Sequence, residues 1–121
     1  MATRIGWLTL AFGVTATGLA FAQVGGADAS KTERGQAVYQ YWCAPCHSEG
    51  PGNPGTGALA VKYKGQPAIP AVLTERTNLT PQGLKFFVRQ GVSVMPPFRK
   101  TEITDADLNA LTVFLTRNNK R

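Results

Sequence analysis

The sequence is short of the side chains that build metal and redox sites. Among its 121 residues there is one histidine, His47, there are two cysteines, Cys43 and Cys46, and Met95 is the only methionine besides the initiator. A zinc knuckle needs four ligands, and these residues leave no second Cys/His pair to complete one. A thioredoxin-like dithiol needs a βαβ setting, and no stretch of the chain has that pattern. Both interpretations of the two cysteines are therefore disfavoured.

The chain also lacks alternating apolar runs and massed basic residues. Without period-two runs no sheet is predicted, so the fold class is all-α, with about four to five short helices. The 13 lysines and arginines against 7 acidic residues give a formal charge of +6, but the bases are scattered, which argues against nucleic acid as a partner. This excess of positive charge is consistent with an acidic docking partner, and it is equally consistent with a role in solubility alone.

Capping residues and helix breakers locate the predicted helices. Ser30 and Glu33 form a capping-box signature, and Thr80 and Gly91 bracket the clearest helix. The Gly/Pro-rich stretch 48–57 is predicted to be a loop. The predicted helical segments are 31–43, two short turns at 59–63 and 70–76, 81–90, and a last helix that begins at Thr104.

The most specific motif is Cys43-Ala44-Pro45-Cys46-His47. Two thiols at this spacing can add to the two vinyl groups of one porphyrin, and the histidine that follows can ligate the iron from one face. The motif predicts one covalent haem c, with Cys43 and Cys46 as thioether attachments and His47 as an axial ligand. A haem uses both thiols, so no disulfide is predicted.

Met95 is predicted to be the second axial ligand, although a methionine more often fills a core. It lies 48 residues after His47 and directly before Pro96-Pro97, whose rings fix the backbone. Met/His ligation is typical of electron transfer, and the thioether favours reduced iron. His47 is expected to donate its other ring N–H to a carbonyl in 48–57, with that of Pro54 as the candidate.

The first 22 residues have the features of a secretory signal. Arg4 gives a positive start, 5–19 is apolar with small residues and threonines, and Ala20-Phe21-Ala22 is a small-x-small cleavage site. An uncleaved anchor is the alternative, but the run is shorter than the ~20 apolar residues that span a bilayer. Haem c is attached outside the bacterial cytoplasm, which fits export to the periplasm. The predicted division is a signal peptide at 1–22, cleaved after Ala22, a flexible leader at 23–30, and one domain at 31–121.

With these motifs the chain resembles the class I c-type cytochromes. The matching features are the Gly35-to-Tyr39 spacing, the Cys43/Cys46/His47 motif, Met95-Pro96, and the set Leu111, Phe114 and Leu115 in the last helix. The resemblance implies a small cytochrome c fold around one haem. It also implies that the first and last helices cross closely, with Gly35 against Phe114 or a neighbour.

Three stretches, 52–56, 76–81 and 88–100, resemble small cytochromes paired with flavin hydroxylases of the 4-cresol and eugenol hydroxylase type. In that family the cytochrome subunit removes electrons one at a time from reduced flavin. The resemblance implies a flavoprotein dehydrogenase or hydroxylase subunit as partner, together with a downstream electron acceptor. A quinoprotein alcohol dehydrogenase as donor and a free periplasmic shuttle are the alternatives. Arg99 and Lys100 are candidates for a docking face, with a solvated loop end as the simpler interpretation.

The predicted function is electron transfer by a protein that is not an enzyme by itself. Both axial positions are filled in this interpretation, and no catalytic residue is predicted. A peroxidase needs an open distal site and a base, and no second histidine is present to act as one. A gas or redox sensor is normally joined to an output domain, so it is the less favoured alternative.

Overall fold

The structure, a computed structural model, describes residues 26–119. The predicted signal peptide and its cleavage site lie outside these residues. Within 26–119 there is no β-strand, only an isolated bridge between Val92 and Met95, and the predicted all-α class is confirmed. The elements in chain order are α1 (Gly26–Val38), a π-helical turn (Tyr39–Cys43), α2 (Ala44–His47), α3 (Pro54–Lys62), a 3-10 turn (Leu73–Glu75), α4 (Pro81–Gln90) and α5 (Asp105–Thr116).

Helices α1 and α5 cross in direct contact at Gly35. A Cβ built on Gly35 would lie 2.8 Å from the Cβ of Phe114 and would run into the Ala110 carbonyl. Glycine is therefore what lets the two helix backbones approach this closely. One turn further along, the ring of Tyr39 packs against that of Phe114, with 5.6 Å between their centroids. The crossing implied by the resemblance to class I c-type cytochromes is present.

The hydrophobic core lies between α5 and the elements that contact it. Ile103 and Leu111 are completely buried, and burial of such side chains stabilises the fold by about 1.5–3 kcal/mol each. The core cluster consists of Tyr39, Cys43, Ala44, Leu84, Val88, Ile103, Leu108, Leu111, Phe114 and Leu115. Because Cys43 belongs to it, one end of the predicted haem motif is continuous with the core. No helix within 26–119 combines the length and the apolar character needed to cross a membrane.

The caps predicted for α4 and α5 are confirmed. The Thr80 hydroxyl accepts a 3.1 Å hydrogen bond from the N–H of Gly83, and the Thr104 hydroxyl accepts one of 3.1 Å from the N–H of Asp107. Gly91 ends α4 with φ 68°, a conformation that side chains with a Cβ rarely adopt. Both helices begin where their capping residues predict, and α4 also ends where Gly91 predicts.

Helix α3 corrects the prediction of a continuous loop over 48–57, since it begins at Pro54 inside that stretch. Proline has a fixed φ that suits the first position of a helix, and Asn53 before it is extended, with φ −92°. The Asn53 side chain donates to the carbonyls of Glu49 and Gly50, which closes the loop that precedes the helix. The glycines of 48–57 therefore do not prevent a helix from starting there.

Two other boundaries also differ from the prediction. Helix α1 begins at Gly26 and not near Ser30, and the Ser30 hydroxyl donates to the carbonyl of Ala27 at 2.9 Å instead of capping. Residues 26–30, predicted as part of a flexible leader, are helical. Within 70–76 only the single 3-10 turn Leu73–Glu75 forms.

Candidate functional site

A π-helical turn leads from α1 into the motif that contains both cysteines. The N–H of Ala44 donates to the carbonyl of Tyr39, five residues back instead of four. The extra residue in this turn changes the direction of the side chains that follow it. Cys43 then lies in the core cluster, whereas Cys46 is exposed. One thiol of the motif is therefore anchored in the core and the other is at the surface.

Tyr39 connects the π-helical turn to the backbone of His47. Its buried hydroxyl donates a 2.8 Å hydrogen bond to the His47 carbonyl, and burial raises the pKa of the phenol, so it stays a donor at neutral pH. Sequence reasoning missed this role. It could have been suspected from the position of Tyr39, which lies on the apolar face of the first helix eight residues before His47. A buried phenol normally forms a hydrogen bond with a nearby polar group.

The imidazole of His47 packs against Gly55 in the first turn of α3. A Cβ at Gly55 would lie 2.8 Å from His47 Nδ1, so glycine leaves the ring its space. Burial lowers the pKa of His47 and favours the neutral imidazole, the form that ligates metals. Thr56, next along α3, donates from its hydroxyl to the Ser48 carbonyl at 2.8 Å and holds the helix against the motif.

The hydrogen bond predicted from His47 to a carbonyl of 48–57 is not formed in the described structure. Nδ1 of His47 is buried and has no hydrogen-bond partner within 26–119. The Pro54 carbonyl therefore does not accept a hydrogen bond from Nδ1. Pro54 begins α3, and the backbone of Gly55 is what faces the imidazole ring. The orientation of the imidazole depends on packing against Gly55 instead.

The buried thiol of Cys43 is not an activated nucleophile. Burial raises its pKa to about 11, and the neighbouring Cys46 adds to the increase. Thioredoxin-like dithiols work through a thiol whose pKa is lowered by its surroundings, whereas the surroundings of Cys43 raise its pKa. Across the described residues no group of three or more His, Cys, Asp or Glu side chains converges as a zinc site would require.

Met95 lies in a tight turn that packs against the core cluster. Val92 and Met95 exchange two backbone hydrogen bonds of 3.0 and 2.9 Å, and Ser93 between them adopts φ 53°. At the base of the turn, a Cβ on Gly91 would lie 2.6 Å from the Met95 carbonyl oxygen. The backbone that carries the thioether is therefore closely constrained.

Arg89, in the last turn of α4, braces the same segment. Its guanidinium donates to the carbonyls of Phe98 at 3.0 Å and Ile103 at 2.9 Å, and it pairs with Asp105 at 2.9 Å. Phe98 in turn donates its N–H to the carbonyl of Val88 at 2.8 Å. Sequence reasoning missed Arg89, because nothing in its local pattern shows that distant carbonyls will converge on it.

The two cations proposed for a docking face carry their own counter-charges. Arg99 pairs with Glu102 at 3.2 Å, and Lys100 pairs with Asp105 at 2.8 Å. Their side chains remain 80% and 74% exposed. The surface beside the Met95 turn is therefore more nearly neutral than the sequence suggests.

These residues fit a covalently attached haem c. The motif offers one core-anchored and one exposed thiol, a neutral imidazole packed on a glycine, and a methionine on a constrained turn. Thiols and an imidazole at this spacing match the attachment chemistry of haem c, and a thioether matches its usual second axial ligand in electron-transfer proteins.

The comparisons with known proteins agree with this chemistry. The family model described as "Cytochrome C oxidase, cbb3-type, subunit III" matches residues 30–115. No curated protein and no solved structure matches the chain. The family match confirms the predicted c-type cytochrome: an electron-transfer haem protein that carries covalently bound haem c. It does not extend to the narrower resemblance to 4-cresol and eugenol hydroxylase cytochromes.

Proposed function

Because this chain belongs to the family of cytochrome c oxidase, cbb3-type, subunit III, we propose that it passes single electrons through one haem attached at Cys43 and Cys46 and ligated by His47 and Met95. The haem supplies a one-electron iron couple when bound. The proposal is supported by a neutral imidazole that directly follows Cys46 and packs on Gly55, and by a thioether on a constrained turn.

The residues around the two proposed ligands would hold those ligands in place in both redox states. Tyr39 holds the backbone of His47, and Arg89 holds the segment that follows Met95. Ligands that do not move need little reorganisation when an electron arrives or leaves. A thioether and an imidazole as the two ligands would also raise the potential of the haem above that of a bis-histidine haem.

Substitution of Met95 tests this ligand set. In the oxidised wild-type protein a weak absorption band near the red end of the spectrum, lost on reduction, marks sulfur ligation. Met95→Ala should abolish this band, lower the midpoint potential and allow carbon monoxide to bind rapidly to the reduced protein. Val94→Ala is the matched control, since Val94 is the adjacent residue and is 82% exposed. An unchanged band and potential in Met95→Ala would exclude Met95 as a ligand.

The proposed setting is the periplasm, with the chain acting as the electron-accepting subunit or partner of a flavin-dependent alkylphenol hydroxylase. The support is the signal-like start of the sequence and the resemblance of 52–56, 76–81 and 88–100 to cytochromes of that type. A downstream acceptor then reoxidises the haem. The proposal includes no contact with nucleic acid and no membrane span after removal of 1–22.

The family description favours a second candidate, electron transfer with a cbb3-type oxidase. A quinoprotein alcohol dehydrogenase as donor and a free shuttle are the remaining alternatives. Stopped-flow mixing separates them: oxidised cytochrome is mixed with a reduced flavin hydroxylase or a reduced quinoprotein, and reduced cytochrome with the oxidase. A dedicated hydroxylase subunit should co-purify with the flavoprotein and be reduced by it fastest. Collision-limited, salt-sensitive reduction by many donors would contradict a dedicated partner and indicate a shuttle.

A further inference from the structure

Two aromatic rings from distant parts of the chain meet beside the predicted haem motif. The indole of Trp42 and the ring of Phe98 stand edge to face, with 5.7 Å between their centroids and 73° between their planes. Both rings are partly buried and pack against the core cluster. This geometry is favourable for an aromatic pair, because the positive edge of one ring faces the negative face of the other.

Each ring belongs to a segment that carries one side of the proposed iron site. Trp42 lies in the π-helical turn and directly precedes Cys43, a predicted attachment residue for the haem. Phe98 follows Met95 by three residues, and the two residues between them are prolines, whose rings restrict the backbone. The pair therefore joins the segment that would hold the haem to the segment that carries the second predicted ligand.

The backbone is fixed on the Phe98 side of the pair. The N–H of Phe98 donates to the carbonyl of Val88 at 2.8 Å, and the carbonyl of Phe98 accepts from the Arg89 guanidinium at 3.0 Å. Phe98 therefore cannot move away from α4 without breaking two hydrogen bonds. Its ring gives the indole of Trp42 a rigid surface to pack on.

Polar contacts do not link the two segments. Within the part of the chain that the structure describes, no hydrogen bond or ion pair joins 39–47 to 91–100. Side-chain packing therefore sets the distance between the haem motif and the turn that carries Met95. A thioether favours reduced over oxidised iron, so the oxidised state is the one in which this ligand is most easily displaced.

We propose that Trp42 and Phe98 are a pair of positioning residues that hold the Met95 thioether on the oxidised haem iron. The contact between the rings keeps the segment that follows Met95 from moving away from the motif. The turn that carries the thioether then stays at one distance from the attached haem. The inference rests on the proposed ligation by Met95 and goes beyond it, because neither ring supplies a ligand atom.

The proposal predicts that an external ligand displaces Met95 more easily once the pair is broken. Imidazole added to the oxidised protein competes with the thioether, and the red-end band decreases as imidazole binds. Phe98→Leu and Trp42→Leu should each lower the imidazole concentration at half loss of the band by up to about 10-fold, which corresponds to the free energy of one aromatic pair. The double variant should show no larger effect than the stronger single variant, because both changes break the same contact.

Phe86→Leu is the matched control. Phe86 and Phe87 form another edge-to-face pair, with 5.6 Å between their centroids and 77° between their planes, and Phe86 is 60% exposed. This variant breaks an aromatic pair outside the two segments and should leave the imidazole titration unchanged. Trp42→Phe keeps an aromatic ring at the position and should retain most of the wild-type resistance to imidazole. Denaturant unfolding of each variant measures global stability separately.

The outcomes separate this proposal from a structural role and from the ligand assignment itself. Single variants that lose stability to denaturant but keep the wild-type imidazole titration would overturn it. Effects that multiply in the double variant would also overturn it, because they would show that the two rings act independently. If Trp42→Leu does not fold, Phe98→Leu carries the test, and a wild-type titration in that variant would overturn the proposal. A wild-type protein without the red-end band would instead exclude Met95 as a ligand, and this inference with it.

Discussion

The hydroxyl of Tyr39 donates a 2.8 Å hydrogen bond to the backbone carbonyl of His47. The same tyrosine packs its ring on Phe114, at the place where α1 crosses α5. The backbone of the predicted iron ligand is therefore fastened to the most closely packed pair of helices, and not only to the loop that follows it. This connection makes the stability of the helix crossing and the geometry of the haem motif depend on each other.

Tyr39→Phe should test this connection. The change removes the hydroxyl but keeps the ring on Phe114, so the haem protein should lose about 1–2 kcal/mol of stability to denaturant, because the His47 carbonyl loses its partner. Tyr41→Phe is the control, since Tyr41 is 73% exposed, and it should change stability little. Equal stability of the two variants would show that the Tyr39 hydrogen bond does not stabilise the motif.

Gly35→Ala should disturb the crossing of α1 and α5. The new Cβ would meet the Ala110 carbonyl and the Phe114 side chain, so the helices must separate, and we expect a loss of roughly 1–3 kcal/mol. Gly57→Ala is a matched control in α3, where a Cβ meets nothing within 4 Å, and it should increase stability by up to about 1 kcal/mol. Thermal unfolding of both variants measures the difference. A tolerated Gly35→Ala would contradict the close crossing.

Arg89→Gln should loosen the segment that follows Met95. The variant loses the hydrogen bonds to the carbonyls of Phe98 and Ile103, and we expect about 2 kcal/mol of destabilisation. The red-end band should then disappear at lower temperature and lower denaturant concentration than in the wild type. Arg99→Gln is the control, because Arg99 is a neighbouring cation whose side chain is 80% exposed. Band loss at the same temperature in both variants would show that Arg89 does not brace the ligand.

Helices α4 and α5 could be predicted from the sequence because the interactions that cap their N-termini are local. Thr80 and Thr104 each accept from the N–H three residues later, so a short window of sequence contains the whole interaction. The sequence also contains the attachment motif in five consecutive residues. In contrast, the π-helical turn at Tyr39–Cys43 could not be predicted. One extra residue in a single helical turn leaves no recognisable pattern of apolar and polar residues in the sequence.

The interactions that brace the site could not be predicted, because they join residues distant in sequence. Arg89 donates to the carbonyl of Ile103, fourteen positions later in the chain. Gly55 leaves space for the His47 ring, a contact that the local sequence around Gly55 does not show. The composition of 48–57 predicted a loop, and α3 nevertheless starts there because Pro54 is well placed to begin a helix. Arg76, between the 3-10 turn and α4, is only 6% exposed, and this burial is likewise a tertiary property that no local pattern shows.

Acid should weaken the fold through the carboxylates near the start of α5. Hydrogen bonding from Thr104, followed by that from Arg34, lowers the pKa of Asp107, and contacts with Lys100 and Arg89 lower that of Asp105. A carboxyl with a lower pKa in the folded state contributes stability above its unfolded pKa of about 4. This stability is lost as the pH falls through the lower folded value.

Thermal unfolding of the haem protein as a function of pH checks this prediction. The unfolding temperature should fall as the pH is lowered from about 5 to 3. Asp107→Asn should show a shallower fall, because its side chain no longer binds a proton. A wild-type unfolding temperature that is independent of pH across this interval would contradict the assignment of these carboxylates.

The proposed electron transfer depends on a single haem joined covalently to Cys43 and Cys46. Pyridine haemochrome analysis of the purified protein, before and after extraction with acid acetone, measures this attachment. We expect one haem per polypeptide, retained after extraction, and loss of this retention when both cysteines are replaced by alanine. A protein without stoichiometric haem, or one whose haem is extracted from the unmodified chain, would show that no such attachment exists.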